Sequence, residues 1–386
     1  MSRPPRILIF APSVSGGIAE YTRCQGEALQ DLGAEVLCLT APGFLGGKHM
    51  RFRTDSCLIP PPSTPHGLLR RLRMAWGIVV NRYLLAWRVV RHRPDLVLLD
   101  SYSEYLSPLW IDPHILLSRI LRFRYGANLH DPVRSHRIGP AWWHRLSVWL
   151  AYEPLDFVLV HQRPDPGVVP KRVRIVEVPH GPYEVSMIPG SREGIRNHWG
   201  IPTDARVFLS FGFVRDGKNL DLVIEALKSV PEAWLVIAGS VASSKDRTFS
   251  WYRDLASRLG VADRCLFYEG FVPEGEAGRF FAGADHLLLC YSSLFHSQSG
   301  VLNMAVHARK TVIASGASGA MTDTVRKFRL GVVIDADSSP AIVHGMKSLL
   351  GSSPAPLWED YEKDSSWEVN AARLLQAAGL GSSSAS

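Results

Sequence analysis

Two series of short apolar segments, each alternating with helix-length segments, constrain the fold of this 386-residue chain more than any other feature. The short segments are rich in Val, Ile and Leu without regular apolar–polar alternation, which is typical of parallel strands buried on both faces. Strands separated by helices predict a doubly wound α/β sheet. The predicted strands are Arg6–Ala11, Glu35–Thr40, Asp95–Asp100, Ala127–His130, Asp156–His161 and Arg174–Pro179 in the first series, and Arg206–Gly212, Trp234–Gly239, Cys265–Tyr268, His286–Cys290, Thr311–Ser315 and Gly331–Ile334 in the second.

The segment between the two series, His180–Asp204, is rich in Gly and Pro and is typical of an interdomain linker. We therefore predict two Rossmann-like domains, over residues 1–185 and 186–356. The amphipathic segment 357–380 is predicted to form a C-terminal helix that packs back on the first domain. The tail 381–386 is small and polar, which predicts disorder.

Composition and residue spacing argue against several classes of protein. No uninterrupted apolar run approaches the roughly 20 residues of a membrane-spanning helix. The apolar run near the start enters a Gly-rich turn, which favours a buried strand over a secretion signal. The five cysteines lack metal-ligand or redox spacing, which predicts reduced thiols in a cytoplasmic protein. No His, Cys and Asp cluster has the spacing of a metal site, so neither a metal nor a cofactor is predicted.

The positive charge lies in the first half of the chain. Residues 1–185 hold 23 Lys and Arg against 15 Asp and Glu. Seven arginines and no acidic residue fall within 68–93, together with apolar residues at helical spacing. A basic amphipathic helix can lie on an anionic membrane surface, and a core-packed helix with a solvated basic face fits the same pattern. No aromatic–basic repeat or recognised motif accompanies the charge, which disfavours nucleic acid as a partner.

The first predicted strand ends in a turn that contains Gly16 and Gly17 and leads into a helix. Adjacent glycines let the backbone approach a ligand, and the free amides at a helix N-terminus attract anions. A plain strand-to-helix turn has the same pattern. The dinucleotide fingerprint is missing, because the third glycine spacing is absent and no acidic residue follows suitably.

The first strand of the second series leads into FGFVRDGKNL, residues 211–220. Arg215 and Lys218 follow the strand that ends at Gly212, and Asn219 is a favoured residue for capping the next helix. Two cations at a helix N-terminus, above the carboxyl edge of a parallel sheet, predict a diphosphate site. The alternative is a surface loop with two solvated side chains.

A second loop of the same domain, Tyr291–Gln298, also follows a predicted strand. Ser299, Gly300 and Val301 open a helix that is predicted to run to about Ala308. Ser299 is placed to cap this helix, and the free amides would complete a cradle for phosphate oxygens. A simple cap explains Ser299 alone, but it does not explain why one edge carries two such loops.

In the first domain, His130, Asp131 and Pro132 stand at the end of a predicted strand, with His136 beyond them. A histidine at this position, facing an interdomain cleft, can bond a sugar hydroxyl or shuttle a proton. A buried histidine bonded to the backbone fits equally well. Asp131 before Pro132 also suits a turn.

These motifs, with SQSGVLNMAVHARKTVIAS over Ser297–Ser315, resemble the family 4 ("group 1") glycosyltransferases of the GT-B fold, in which two Rossmann-like domains face a central cleft. The resemblance covers roughly residues 5–350. Its most specific part is FGFVRDGKNLDLVIEAL, Phe211–Leu227, which is similar to the family's diphosphate motif with one arginine and one lysine. Gln298–Val301 resembles the Gln-Ser-Gly-Val turn of a subset of the family.

The resemblance implies metal-independent transfer of a sugar from a nucleoside-diphosphate sugar to a glycan or lipid-linked acceptor, with retained anomeric configuration. The resemblance, together with the basic first half of the chain, also implies a role in surface-polysaccharide or glycoconjugate biosynthesis at the inner membrane face. The catalytic residues that it implies are His130, Arg215 and Lys218, and Asp131 and His136 are implied to bind the acceptor. The implied donor-binding residues are Gly16, Gly17, Gly212, Arg215, Lys218, His296, Gln298, Ser299, Gly300 and Val301.

The chain departs from the family where many members carry two glutamates. His296 and Met304 take these positions, and Met304 cannot accept hydrogen bonds from ribose hydroxyls as a carboxylate does. Two alternatives therefore stay open beside a transferase: a catalytically silent relative that acts as a binding or scaffold protein, and a nucleotide-sugar epimerase. A dehydrogenase is disfavoured by the missing dinucleotide fingerprint.

Overall fold

The computed structural model describes residues 3–61, 67–100, 104, 106–130, 140–183, 192–296, 298–351 and 354–381. The chain forms two compact units, one comprising Met1–Gly181 with Ser365–Ser386 and the other comprising Pro182–Asp364. Each unit contains one parallel β-sheet with helices on both faces. Of the helices in the described ranges, none combines the length and the apolar character needed to cross a bilayer.

The strands are β1 (Arg6–Ala11), β2 (Glu35–Thr40), β3 (Arg53–Asp55), β4 (Leu96–Leu99), β5 (Arg124–Asn128), β6 (Phe157–Val160), β7 (Arg174–Glu177), β8 (Arg206–Phe211), β9 (Ala233–Gly239), β10 (Cys265–Glu269), β11 (His286–Cys290), β12 (Thr311–Ser315) and β13 (Gly331–Val333). The α-helices are α1 (Gly16–Asp31), α2 (Leu68–His92), α3 (Ile111–Leu121), α4 (Ala141–Ala151), α5 (Arg192–His198), α6 (Leu220–Ala226), α7 (Phe249–Arg258), α8 (Glu274–Gly283), α9 (Gly300–His307), α10 (Ala320–Lys327), α11 (Ser339–Gly351), α12 (Trp358–Asp364) and α13 (Trp367–Ala378).

In the first unit, the sheet order is β3-β2-β1-β4-β5-β6-β7, and its order reverses between β1 and β4. Ile7 and Ile9 of β1 are buried beneath α1 and α13, while Leu8 and Phe10 are buried beneath α2, α3 and α4. Full burial of each such side chain contributes about 1.5–3 kcal/mol relative to an exposed position. The apolar runs that predicted strands without alternation are thus buried on both faces.

In the second unit, the sheet order is β10-β9-β8-β11-β12-β13, and its order reverses between β8 and β11. One face is covered by α8, α9, α10 and α12, and the other by α6, α7 and α11. The predicted doubly wound α/β architecture is confirmed in both units.

The structure differs from the prediction at three elements. The edge strand β3 was not predicted, because its three residues are polar or charged. The strand predicted at Ala127–His130 is β5, Arg124–Asn128, and the predicted single helix over 357–380 forms two helices. Of these, α12 belongs to the second unit and α13 to the first. Of the tail, residues 382–386 lie outside the described part of the chain.

A buried amide network holds α13 against α1. Asn370 of α13 accepts a hydrogen bond of 2.8 Å from Gln25 Nε2, and its own Nδ2 donates to the Tyr21 hydroxyl at 2.8 Å. Asn370 Nδ2 also donates to the Pro179 carbonyl at 2.7 Å. Buried polar groups that are mutually satisfied in this way specify one packing arrangement.

Candidate functional site

In the second unit, the two predicted phosphate loops follow β8 and β11, the strands between which the order reverses. Crevices at such a reversal, outside the carboxyl ends of the strands, are the usual ligand sites of doubly wound sheets. The loop after β8 carries Arg215 and Lys218, and the loop after β11 leads to Ser299 at the start of α9. The strand order explains why one edge carries two loops suited to an anion.

The two loops touch each other. The Ser292 amide donates a hydrogen bond of 2.8 Å to the Gly217 carbonyl. A methyl group on Gly212 would lie 3.8 Å from Val301 Cγ2 and 3.9 Å from Lys218 Nζ, and Gly212 has a φ of +83°, which favours glycine. Three of the predicted site residues, Gly212, Lys218 and Val301, therefore meet at one place.

Arg215 and Lys218 are neighbouring cations in different environments. The Lys218 ammonium donates a hydrogen bond of 2.5 Å to the Phe211 carbonyl, and burial together with the charge of Arg215 lowers the pKa of Lys218 to about 7. Arg215 is exposed, and its guanidinium lies 5.9 Å from the centre of the Phe213 ring. Neither cation forms an ion pair with another described residue, so the loop presents positive charge that an anion can neutralise.

The start of α9 has the predicted cap. The Ser299 hydroxyl accepts a hydrogen bond of 3.4 Å from the Leu302 amide and lies 3.0 Å from the Tyr291 hydroxyl. The Tyr291 ring stacks on Phe295 with 4.1 Å between ring centres. Beside the cap, Gln298 Oε1 is buried and accepts no hydrogen bond from the described residues.

The prediction that the Asn219 side chain caps the next helix is wrong. Asn219 occupies the N-cap position of α6, but its side chain makes no capping hydrogen bond. Its amide instead donates at 2.9 Å to Asp337, whose other carboxylate oxygen accepts from the Ser293 amide at 3.0 Å. Asp337 thus joins the loop after β8 to the loop after β11, which is a structural role that the sequence pattern did not show.

In the first unit, Gly16 and Gly17 form the predicted turn into α1. Both are exposed, Gly16 has a φ of +80°, and a Cβ on either residue would meet nothing within 4 Å. Ser15 at the N-cap position makes no side-chain capping bond. The space beside the α-carbons of both glycines is therefore not filled by described atoms.

Asp100 is a site candidate that the sequence did not reveal. It follows β4, one of the two strands at which the order of the first sheet reverses, and its side chain is fully buried. Both carboxylate oxygens lack hydrogen-bond partners among the described residues, and Oδ1 lies 3.8 Å from Nε2 of His130, which is also buried and unpartnered there. Unsatisfied buried polar groups are rare and call for a functional or structural reason.

Three histidine rings surround Tyr21 beside Asp100. The centre of the Tyr21 ring lies 4.6 Å from that of His130, 5.4 Å from that of His161 and 5.2 Å from that of His180. The pKa of His161 lies well below its usual value, and the pKa of His180 is lowered to about 4. Burial is the main cause in both cases. Both rings are therefore neutral near pH 7.

His161 and His180 are held by the backbone. Nδ1 of His161 donates to the Val178 carbonyl at 3.1 Å, and Nδ1 of His180 donates to the Gly181 carbonyl at 2.8 Å. These two histidines fit the structural alternative considered for His130. The predicted acceptor residues Asp131 and His136 lie outside the described residues. Within the described ranges, no group of His, Cys, Asp and Glu side chains is arranged to hold a metal ion.

Comparison with known families gives a match that lies mainly in the second unit. Residues 191–371 match the model of the family described as Glycosyl transferases group 1. The matched segment, 181 of the 386 residues, resembles that family. The match includes every predicted donor-binding residue of the second unit.

One curated protein to which this chain is similar is a D-inositol 3-phosphate glycosyltransferase of Mycolicibacterium gilvum (strain PYR-GCK), which is 25% identical over 245 residues. The match covers 61% of this chain and 51% of the relative, so the chain spans about half the length of that protein.

Two solved structures share the fold over nearly the full chain. A glycosyltransferase from Rickettsia africae ESF-5 has a TM-score of 0.70 at 14% identity, with 97% of this chain and 98% of that chain covered. The Anabaena protein HepE in complex with UDP-glucose has a TM-score of 0.63 at 17% identity, with 97% and 95% covered. These likenesses confirm the predicted GT-B fold, while the narrower Gln-Ser-Gly-Val grouping stays a prediction.

The departure from the family pattern lies inside the segment that matches the family model. His296 is exposed in the loop before α9, and Met304 is partly buried against the apolar core of the second unit. Gly300 lies near Tyr183, whose ring would be 3.4 Å from a Cβ on that glycine. Met304 carries a thioether, which is only a weak hydrogen-bond acceptor, where many family members carry a carboxylate.

Proposed function

We propose that the chain is a glycosyltransferase that moves a sugar from a nucleoside-diphosphate sugar to a glycan or a lipid-linked acceptor. One observation supports the proposal most directly. Arg215 and Lys218 form no ion pairs with described residues. Together with the start of α9, they lie where the strand order reverses, in a segment that matches the group 1 family model. We propose that Gly212, Gln298, Ser299, Gly300 and Val301 hold the diphosphate with them. His296 is proposed to lie beside the transferred sugar.

The proposed reaction needs no protein base. The bond between the anomeric carbon and the β-phosphate oxygen breaks while a bond forms between that carbon and an acceptor hydroxyl oxygen. The acceptor proton passes to the leaving diphosphate, with anomeric configuration retained. Arg215, Lys218 and the free amides of α9 stabilise the charge that grows on the diphosphate, which is the role a divalent cation would otherwise have.

The first unit is proposed to supply the remaining contacts. His130 would bind the sugar near its reacting carbon, with Asp100 orienting the His130 ring across the 3.8 Å that separates them. Gly16 and Gly17 would let the backbone approach the donor, and the acceptor would bind near Asp131 and His136. We propose that the protein acts in the cytoplasm, at the inner membrane face, in surface-polysaccharide or glycoconjugate biosynthesis.

Met304 favours a second candidate function. A chain that lacks the ribose-binding carboxylate would act as a binding or scaffold relative that holds nucleotide sugars without transferring them. Binding without turnover would identify this case.

The experiment that tests the proposal is a thermal-shift screen against UDP-, GDP-, ADP- and TDP-sugars, followed by transfer assays with the donor that binds. A ligand that binds only the folded state raises the melting temperature. At a concentration about one hundred times its Kd, the ligand stabilises the folded state by about 2.7 kcal/mol. A shift with one donor and product formation are expected. No shift with any donor contradicts the proposal, and a shift without turnover favours the silent relative.

The lowered pKa of Lys218 predicts that donor binding weakens as the pH rises through about 7. The charged ammonium binds the diphosphate, and above this pH the free protein must take up a proton before it binds. Affinity is expected to fall up to about tenfold for each pH unit above 7. A nucleotide sugar is the right probe, because its diphosphate does not titrate in this range.

Calorimetry in two buffers of different ionisation enthalpy measures this proton uptake. Lys218→Arg is the matched control, since arginine stays charged and should flatten the pH dependence. An equally steep dependence in that variant would contradict the assignment. In the unliganded protein the sign is opposite: stability should rise with pH between about 7 and the ordinary lysine value, because the unfolded state then binds the proton that folded Lys218 has lost.

A further inference from the structure

The outer surface of α2, α3 and α4 is unusually apolar. Fourteen of the 21 exposed large apolar side chains among the described residues lie on these helices or on the 3-10 turn Ser107–Leu109. They are Leu68, Leu69, Leu72, Met74, Trp76, Tyr83, Trp87, Val90, Leu109, Leu116, Ile120, Trp142, Leu146 and Trp149. We call these side chains the outer apolar surface.

The helix α2 is apolar on two opposite faces. Six of its exposed apolar residues, between Leu69 and Val90, are spaced by three, four or seven positions, which places them in one stripe along the helix. Leu85 and Val89 lie on the other side and are buried against the first sheet. The core-packed helix considered from the sequence is therefore present, and a second apolar face remains in solvent.

The helices α3 and α4 repeat this arrangement. Leu116 and Ile120 are exposed on α3, and Trp142, Leu146 and Trp149 are exposed on α4 at spacings of four and three. Surface helices of a globular protein usually present polar residues on this side.

Hydrogen bonds hold the three helices in one layer over the same face of the sheet. The Tyr83 hydroxyl of α2 donates to the Leu109 carbonyl at 3.2 Å. The Ser107 hydroxyl, in the same 3-10 turn as Leu109, donates to the Ser147 carbonyl of α4 at 2.6 Å. The ring of His114 in α3 bonds the Arg82 carbonyl at 3.1 Å. The exposed apolar residues thus form one continuous side of the first unit.

Arginines accompany this surface almost without acids. The segments 68–93, 106–122 and 140–152 contain ten arginines and one acidic residue, Asp112. Seven of the arginines are exposed and form no ion pair with a described residue: Arg71, Arg73, Arg91, Arg93, Arg119, Arg122 and Arg145. A surface that combines tryptophans and leucines with uncompensated arginines matches both parts of an anionic lipid interface, its acyl boundary and its phosphates.

We propose that the outer apolar surface is where this chain lies on an anionic lipid membrane. The tryptophan and leucine side chains enter the boundary between head groups and acyl chains, and the arginines pair with lipid phosphates while their stems cover apolar atoms. A symmetric dimer through this surface would bring the arginines of two copies together, which disfavours a second copy as the occupant. The proposal goes beyond sugar transfer, since a transferase with a soluble acceptor needs no such surface.

Sedimentation of the full chain with vesicles tests the proposal. We expect binding to vesicles of phosphatidylcholine with about 30% phosphatidylglycerol, and little binding to phosphatidylcholine alone. The variant Trp76→Ser/Trp87→Ser/Trp149→Ser should lose most of the binding. Phe271→Ser/Leu294→Ser, which removes two exposed apolar residues of the second unit, is the matched control and should bind like the unaltered protein.

Charge reversal separates lipid phosphates from general apolar adhesion. Arg73→Glu/Arg91→Glu/Arg145→Glu should weaken binding to the anionic vesicles at least about hundredfold, while Lys228→Glu/Arg258→Glu in the second unit should not. Unchanged melting temperatures establish that the variants are folded. Equal binding to both vesicle types, unchanged binding of the tryptophan variant, or a dimer in sedimentation velocity that the tryptophan variant abolishes would each overturn the proposal.

Discussion

Replacing Arg215 and Lys218 together by alanine will abolish the thermal shift that a nucleotide sugar produces and will remove measurable transfer. The two cations are adjacent, lack ion pairs among the described residues and lie at the crevice where the strand order of the second sheet reverses. Loss of a single preorganised group that stabilises charge in a transition state costs on the order of 100- to 1,000-fold in rate, so the double loss should exceed either single one.

The double variant Lys228→Ala/Lys245→Ala is the control, because it removes two exposed positive charges elsewhere in the second unit. It should keep both the donor shift and the transfer rate. The melting temperature without donor must also be compared, and Lys218→Ala is expected to preserve it, since a partly buried cation is removed. A full donor shift in Arg215→Ala/Lys218→Ala would refute the proposed diphosphate site.

The second large effect is expected for Asp100→Asn, which should stabilise the protein and reduce transfer at least about tenfold. The unaltered carboxylate is buried with no hydrogen-bond donor among the described residues, so its charge costs stability. Removing that charge should add about 1–3 kcal/mol, which is about 2–4 °C in melting temperature for each kcal/mol in a domain of this size. Activity should fall because the amide no longer orients His130 as a carboxylate does.

A double-mutant cycle with His130→Ala separates this role from a structural one. If Asp100 acts through His130, the double variant should be about as slow as His130→Ala alone. Asp112→Asn, an exposed aspartate of the same unit, should leave the activity unchanged. A variant Asp100→Asn that is destabilised, or that transfers sugar at the unaltered rate, would show that Asp100 is only a packing residue.

Much of the fold could be predicted from local pattern. The apolar runs at Arg6–Ala11 and Thr311–Ser315 are observed as strands with the predicted bounds, because each is buried on both faces and followed by turn residues. The predicted strand Ala127–His130 begins later in the chain than the observed β5, because Gly126 interrupts the apolar pattern. In the structure that glycine admits the Phe157 ring, which would lie 2.5 Å from a Cβ, and such a contact between strands is not visible in a single segment.

The candidate site likewise has parts that follow from local pattern and parts that depend on the order of strands. The positions of Arg215, Lys218 and Ser299 after strand ends were predictable, and their binding roles stay predictions. Asp100 was not, because it closes the apolar run LVLL and reads as the last residue of a strand. Asp100 became a candidate because β4 lies next to β1 and because His130 follows the end of another strand. Both relations depend on the order of strands in the sheet, which a single segment does not show.

The first unit needs a helix that is synthesised after the second unit. Its helix α13 comes after the whole second unit in the chain, yet Asn370 on that helix supplies the buried partner of Gln25 and Tyr21 near the start. A ribosome therefore completes the second unit before the first has all of its core, although it began the first unit earlier. During that interval the nascent first unit exposes apolar surface of α1 that Leu374 and Ala371 later cover, and this is when a chaperone would be needed most.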